Sequence, residues 1–294
     1  IRHGKVVTPR GIVEGDVAIT GERIVSVGNP VASARQIIDA MGHWVMPGGV
    51  DPHAHIEQMS GMGVVNADTF ETATTSAAMG GTTSVISFAA QAKGQALTET
   101  VADYTARALR GAMIDHAFHM TVTDTSAPGF GRDLGDLIRA GHRSIKVFAT
   151  YNIQLSDREI LDTMALARKH GALVCVHAEN DAIIARAKDD LIARGKRRPS
   201  DHALSRPRMA EIESVARMCR FSEHLNQPVM LFHISTAEAA ALVRDARARG
   251  VPIWAETCPH YLFMTADILD QPGLEGAKWM CSPPQRTAQD QNAL

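Results

Sequence analysis

The sequence lacks any apolar run long enough to cross a lipid bilayer, and it lacks an excess of one charge. A spanning helix needs ~20 consecutive apolar residues, and no stretch of the 294-residue chain approaches that length. With 30 Lys and Arg residues against 32 Asp and Glu, the net charge is −2. Neither nucleic acid nor a membrane is therefore an expected partner. The first residues, from Ile1 to Lys5, do not form a signal peptide, which predicts a cytoplasmic location.

Cysteine is also scarce, and its spacing excludes the common cysteine motifs. The four cysteines are far apart and form no CxxC pair: Cys175, Cys219, Cys258 and Cys281. In a reducing compartment such residues behave as small buried apolar side chains. Cys175 and Cys258 fall close to predicted site residues, but a role in the core is the simpler interpretation.

Residues 1–44 and 45–294 differ in pattern. The first part contains short β-type runs separated by tight turns, at 5–8, 16–20 and 23–27, which predict a small β module. The second part alternates strands with helices that carry capping signals, at Ser156 with Gly171, at Asn180, and at Ser235 with Gly250. Its predicted strands are 45–50, 82–88, 117–121, 144–148, 173–177, 229–233 and 252–255.

The order of these elements predicts a fold. Strands that alternate with single helices pair in parallel through right-handed crossovers. Polar residues stand at the carboxyl ends of many different strands, which favours a (β/α)8 TIM-type barrel over an open sheet. Only seven such strands are present, so the sequence predicts a barrel domain over 45–294 that is incomplete at its C-terminus.

Histidines occur where the predicted strands end. His53 and His55 are two residues apart, so both side chains point to one face of a strand. His177 and His233 each follow an apolar run and precede a helix. Imidazole nitrogens with oxygen ligands suit Zn²⁺. Each histidine alone also fits a core residue with satisfied hydrogen bonds, and only their parallel placement favours a metal centre.

Lys146 lies in the middle of the apolar run 144–148. By alternation it shares a strand face with Ser144 and Phe148, so it points into the predicted barrel. A buried ammonium costs several kcal/mol unless it is paired or neutralised. Two interpretations stay open: the amine reaches the rim, or it is deprotonated and carboxylated by CO₂ to form an anionic ligand that bridges two cations.

Several motifs in order along the chain resemble one enzyme family. They are PGGVDPHAH at 47–55, IKVFATY at 145–151, VHAEN at 176–180, FHIS at 232–235, AETCPHYL at 255–262 and SPPQR at 282–286. Together the motifs resemble the dihydropyrimidinase/hydantoinase branch of the amidohydrolase superfamily. The resemblance implies ring opening of dihydropyrimidines or 5-substituted hydantoins. It also implies that residues 1–44 are the N-terminal part of a small β-sandwich module.

The resemblance implies two Zn²⁺ per subunit, bridged by carboxylated Lys146 and a hydroxide. His53, His55 and Lys146 would hold the more buried ion. Lys146, His177 and His233 would hold the exposed one.

The resemblance also implies roles in catalysis. Tyr151 would stabilise the oxyanion and bind the substrate carbonyl, and the backbone of Ser282 would recognise the imide part of the ring. The family's general base, an aspartate after strand eight, is expected beyond Leu294, which suggests a partial chain. Family members are usually homotetramers, and the same assembly is expected here.

The sequence has to be weighed against three alternative functions. An allantoinase-like hydrolase of cyclic ureides is disfavoured only by the particular residues of the motifs. Dihydroorotases usually carry an arginine where this chain has Glu57, which argues against an acidic ring substrate. A non-catalytic scaffold protein of the same fold would have lost metal ligands. The Met-rich segment 59–63 fits either a mobile loop over the site or a plain surface turn.

Overall fold

The computed structural model describes residues 1–59 and 63–294. The segment 59–63, whose role the sequence leaves open, therefore lies partly outside the described residues. No helix in the described part of the chain is long and apolar enough to cross a membrane.

The N-terminal residues form two small sheets. β1 pairs with β2 in antiparallel and with β5 in parallel, and β3 pairs with β4 in antiparallel. A Cβ at Gly15 would lie 2.4 Å from the carbonyl oxygen of Gly28, so only glycine fits where these chain segments cross. The strands are β1 (Gly4–Thr8), β2 (Gly11–Gly15), β3 (Val17–Thr20), β4 (Arg23–Val27) and β5 (Trp44–Val45).

Within residues 1–59 and 63–294, seven parallel strands form the main sheet, in the same order as in the sequence. The sheet curls into a half-barrel, and His53 on the first strand forms a hydrogen bond with Glu256, directly after the last one. The carboxyl ends of all the strands therefore surround a common space. The strands are β6 (Gly49–Ala54), β7 (Thr82–Ala90), β8 (Asp115–Thr121), β9 (Ser144–Phe148), β10 (Leu173–His177), β11 (Val229–Leu231) and β12 (Ile253–Ala255).

The predicted strand 45–50 is wrong, and proline explains why. Trp44 and Val45 pair with β1 in the N-terminal sheet, whereas the barrel strand β6 begins only at Gly49. Pro47 lies between them and has no amide hydrogen to donate to a ladder. The strand predicted over 229–233 also ends early, at Leu231.

The helices follow the strands, and most of the predicted caps are confirmed. Ser156 and Glu159 form a capping box, Gly171 ends that helix in the left-handed conformation, and Asn180 accepts from the amide of Ile183. The helices are α1 (Phe70–Met79), α2 (Leu97–Gly111), α3 (Phe130–Arg139), α4 (Asp157–His170), α5 (Asp181–Ala193), α6 (Asp201–Ser205), α7 (Arg208–Leu225), α8 (Ala237–Ala248), α9 (Pro259–Phe263) and α10 (Ala288–Ala293), with 3-10 turns at Ala266–Leu269 and Glu275–Trp279.

The capping box predicted at Ser235 is wrong. Thr236 caps α8, and its hydroxyl accepts from the amide of Ala239. The hydroxyl of Ser235 instead donates to the buried carboxylate of Glu211, a residue 24 positions earlier. A partner that is distant in sequence therefore overrides the local capping pattern.

The main core lies between the outer face of the half-barrel and its helices. Ile145 and Val147 are fully buried in this core, and burying such a side chain contributes ~1.5–3 kcal/mol. Lys146 points to the opposite face, where Phe88 and Phe232 form a smaller apolar cluster with Cys175. The alternation of β9 therefore places a lysine inside the barrel, as the sequence predicted.

Candidate metal centre

The predicted ligands lie in one cleft at the carboxyl end of the sheet. The cleft has a volume of about 2280 Å³, and its lining includes all five of them: His53, His55, Lys146, His177 and His233. The ring centroids of His177 and His233 are 4.4 Å apart, and those of His53 and His233 are 5.4 Å apart. Residues from four different strands thus meet in one place.

Lys146 is the least ordinary member of this group. Its side chain is 1% exposed, and its Nζ has no hydrogen-bond partner within residues 1–59 and 63–294. Two aromatic rings lie close to this amine, with Nζ 4.0 Å from the centroid of Phe232 and 4.9 Å from that of Phe148. Burial lowers the pKa of Lys146 to about 7. An unpartnered amine that is easily deprotonated fits the chemistry of a carbamate ligand.

Hydrogen bonds hold three of the histidines by one nitrogen each. Nδ1 of His53 binds Glu256, and Nδ1 of His55 lies 2.5 Å from Oε1 of Gln58. Nε2 of His177 lies 2.7 Å from Oε2 of Glu179. Acceptors of this kind orient metal-ligating histidines, because they leave the second nitrogen with its lone pair.

His233 differs from the other three histidines. It follows β11 in the left-handed conformation, with φ of 43°, and its buried Nδ1 has no hydrogen-bond partner in the described part of the chain. Burial, reinforced by the nearby His177, holds the pKa of His233 well below its usual value. Its imidazole is therefore neutral, which is the form that binds metals.

The four histidine rings lie near one another, with His53 about as close to His233 as to His55. Among the residues that the structure describes, no three His, Cys, Asp or Glu side chains form a group able to hold an ion. Four histidines and a lysine whose amine has no partner among the described residues are nevertheless a donor set that suits a metal ion.

Tyr151 is held in a strained backbone conformation beside this group. Its φ of 71° lies in the left-handed region, which a non-glycine residue rarely adopts. Asp181 supports this conformation: it accepts from the amide of Tyr151 at 3.1 Å, from Thr150 Oγ1 at 2.8 Å and from Gln154 Nε2 at 3.1 Å. The phenol ring lies 5.1 Å from the ring of His177.

Burial also determines the protonation state of Tyr151. Loss of solvent raises its pKa, although the nearby Arg206 and a hydrogen bond with Ser282 oppose the effect. The hydroxyl is therefore a donor at neutral pH. Ser282 lines the same cleft, and its hydroxyl lies 3.5 Å from Nε2 of His202.

Sequence reasoning missed three buried polar residues around the ligands. Glu179 and Arg206 form an ion pair of 2.8 Å behind His177. His119 on β8 lies beneath the site, 2.8 Å from the carbonyl oxygen of Pro52 and 2.5 Å from the hydroxyl of Ser144. The inward position of His119 follows from strand alternation. Arg206 lies between two helices, in a segment that carries no local signal.

Glu57, two residues after His55, makes a structural contact that the sequence did not suggest. Its carboxylate accepts from the amide of Phe70 at 3.0 Å, at the first residue of α1. A carboxylate at a helix N-terminus is stabilised by the exposed amides there. Glu57 therefore anchors a helix to the segment that follows the first barrel strand.

Comparisons with known proteins identify the family of this chain. The sequence pattern of the amidohydrolase family matches residues 44–263. The chain is similar to D-hydantoinases of Rhizobium radiobacter, at 40% identity over 296 residues, and Ralstonia pickettii, at 39% over 296 residues. Each match covers 100% of this chain and 64% of the relative. The crystal structure of dihydropyrimidinase from Brevibacillus agri superposes with a TM-score of 0.95 at 35% identity, over 99% of this chain and 64% of that one.

Proposed function

This chain belongs to the amidohydrolase family, and we propose that it acts as a metal-dependent cyclic amidohydrolase on 5-substituted hydantoins or dihydropyrimidines. The names of its relatives support this substrate class. One observation carries the proposal. Four histidines line one cleft at the carboxyl ends of parallel strands, together with a buried lysine that has no hydrogen-bond partner among the described residues.

The proposed cofactor is a pair of Zn²⁺ ions. His53 and His55 would hold one ion and His177 and His233 the other, with carboxylated Lys146 shared between them. The lowered pKa of Lys146, about 7, supports the carboxylation because only the neutral amine reacts with CO₂. When bound, the two cations would polarise the ring carbonyl and lower the pKa of water toward ~7.

The protein residues position the substrate and stabilise the negative charge that develops on its carbonyl oxygen. Tyr151, protonated at neutral pH, donates its hydroxyl to the carbonyl oxygen on which negative charge develops. The backbone of Ser282 contacts the imide portion of the ring on the same side of the cleft. We assign no general base within the described residues.

Three further expectations remain proposals. The protein assembles as a homotetramer, as the resemblance implies. Residues 1–44 contribute to a small β-sandwich module, and residues 45–294 form the metal-dependent barrel domain. The cytoplasmic location predicted from the sequence stays a prediction.

The decisive experiment measures ring opening and metal content in the same preparation. The purified protein is loaded with zinc in the presence of bicarbonate and then incubated with a 5-substituted hydantoin, dihydrouracil or allantoin. We expect about two zinc ions per chain and formation of the ureido acid from the first two substrates. Opening of allantoin alone would favour the allantoinase-like alternative. A protein with neither zinc nor activity would point to a scaffold.

Lys146→Ala, with a control variant, tests whether carboxylated Lys146 bridges the two proposed metal ions. This variant should lose both zinc retention and ring opening, whereas His224→Asn should keep both, because His224 is exposed on α7, outside the cleft. Unaided activity of Lys146→Ala would refute the carbamate.

A further inference from the structure

A buried carboxylate lies behind the proposed metal centre. Glu179 is 0% exposed, and its Oε2 is 2.7 Å from Nε2 of His177 and 2.8 Å from Nη1 of Arg206. Its second oxygen, Oε1, has no hydrogen-bond partner in the part of the chain that the structure describes. Burying a carboxylate is costly, so a structure that keeps one here indicates a function for its two contacts.

The contact with His177 selects the ring nitrogen that remains available. A carboxylate can only accept hydrogen bonds, so Nε2 of His177 must be the donor. The lone pair of this imidazole is then on Nδ1, and the ring itself lines the cleft. A histidine held in this way by a carboxylate is arranged as metal-ligating histidines generally are.

The contact with Arg206 links Glu179 to Tyr151, the proposed oxyanion donor. The guanidinium carbon of Arg206 lies 4.7 Å from the centroid of the Tyr151 ring, and the arginine side chain is 6% exposed. The Tyr151 ring contacts both this cation and the ring of His177, whose centroid is 5.1 Å away. One carboxylate oxygen therefore touches both groups that contact the tyrosine.

We propose that Glu179 is a positioning residue that aligns the proposed metal ligand His177 with the proposed oxyanion donor Tyr151. Through His177 it holds Nδ1 ready for the ion, and through Arg206 it holds the tyrosine ring in place. The inference rests on the proposed function, because it assigns Glu179 a task within that metal site.

A purely structural role is the competing explanation. Arg206 lies in the segment between α6 and α7, and its carbonyl oxygen accepts from Nη1 of Arg286 at 2.7 Å. An ion pair that only anchored this segment would affect folding stability when it was broken. It would have no specific effect on one of two bound metals.

The test is Glu179→Gln, which keeps the size of the side chain. The glutamine amide can donate to Nε2 of His177 and thereby favour the tautomer that protonates Nδ1. We expect zinc at one of the two sites to bind 10–100-fold more weakly, so that about one equivalent remains after dialysis against a chelator. The value of kcat should fall more than KM changes.

Two further variants separate positioning from folding. Arg206→Lys keeps the charge but loses the planar stack, so it should retain both zinc ions and lower kcat alone. Asp290→Asn, on α10 and away from the cleft, breaks the ion pair between the buried Asp290 and the partly exposed Arg208 of α7. It should lower the melting temperature and leave zinc binding unchanged.

The outcomes distinguish failure of the proposed function from failure of the positioning role of Glu179. A wild-type protein that binds no zinc refutes the proposed function and this inference with it. Two zinc ions in the wild type and unchanged zinc affinity in Glu179→Gln would refute the positioning role alone. If Glu179→Gln does not fold, retention of full kcat by Arg206→Lys would equally overturn the proposal.

Discussion

Replacing Lys146 by methionine should stabilise the metal-free protein, most strongly at low pH. The side chain is 1% exposed and its amine has no hydrogen-bond partner among the described residues. Methionine keeps the length and the apolar stem of the lysine and removes its charge. The substitution therefore isolates the free energy of a buried ammonium from that of packing.

The magnitude follows from the two pKa values. Lys146 has its usual pKa of 10.5 in the unfolded chain and about 7 in the folded one. Each pKa unit corresponds to ~1.4 kcal/mol. At pH values where both the folded and the unfolded chain are protonated, the buried ammonium therefore lowers the unfolding free energy by about 5 kcal/mol.

The sign of the pH dependence follows from proton binding. Between pH 7 and 10.5 the unfolded chain binds this proton and the folded chain does not, so the stability of the wild type rises with pH. The advantage of Lys146→Met should be about 4 kcal/mol at pH 7, about 2 kcal/mol at pH 9 and close to zero above pH 10.5.

Denaturant unfolding of both proteins from pH 6 to 9, in chelator and CO₂-depleted buffer, measures this difference. Lys169→Met, at an exposed position in the last turn of α4, is the control and should show no such trend. An advantage of Lys146→Met that stays constant across this pH range would refute the reasoning. Zinc with bicarbonate should stabilise the wild type and not the variant, because only the lysine can form the bridge.

Three other substitutions test the site and the core. Tyr151→Phe should lower kcat by ~10²–10³-fold with zinc content unchanged, and a kcat within twofold of wild type would contradict the oxyanion role. Asp181→Ala should lower kcat by releasing the left-handed backbone of Tyr151. Its effect should be less than additive with Tyr151→Phe, and full additivity would exclude the coupling. Met164→Ala, fully buried in α4, should cost ~2–5 kcal/mol in unfolding free energy, and a loss below ~1 kcal/mol would show that the core there is loosely packed.

Local patterns predicted much of the half-barrel. The strands β9 and β10 have the bounds that the sequence predicts, and Asn180 caps α5 as predicted. Continuous apolar runs and helix caps depend on neighbouring residues, so they can be read without knowledge of the tertiary structure. The strand predicted over 45–50 failed because Pro47, a local signal, separates β5 from β6, whereas the cap predicted at Ser235 failed because its partner is the distant Glu211.

The sequence by itself predicted which residues are candidate ligands and that they lie on or directly after strands. It also determined that Lys146 points into the barrel, because side chains alternate along a strand. The resemblance of its motifs to the dihydropyrimidinase/hydantoinase branch followed from the sequence as well.

Only the tertiary structure decided how these groups meet. The curl of the sheet brings His53 to Glu256, 203 positions away, and Arg206, between α6 and α7, contacts both Glu179 and Tyr151. Burial, which lowers the pKa of Lys146, depends on aromatic rings from three different strands or strand ends. Such contacts join segments far apart in the chain, so no local pattern encodes them, and they appear only when the whole sheet has folded.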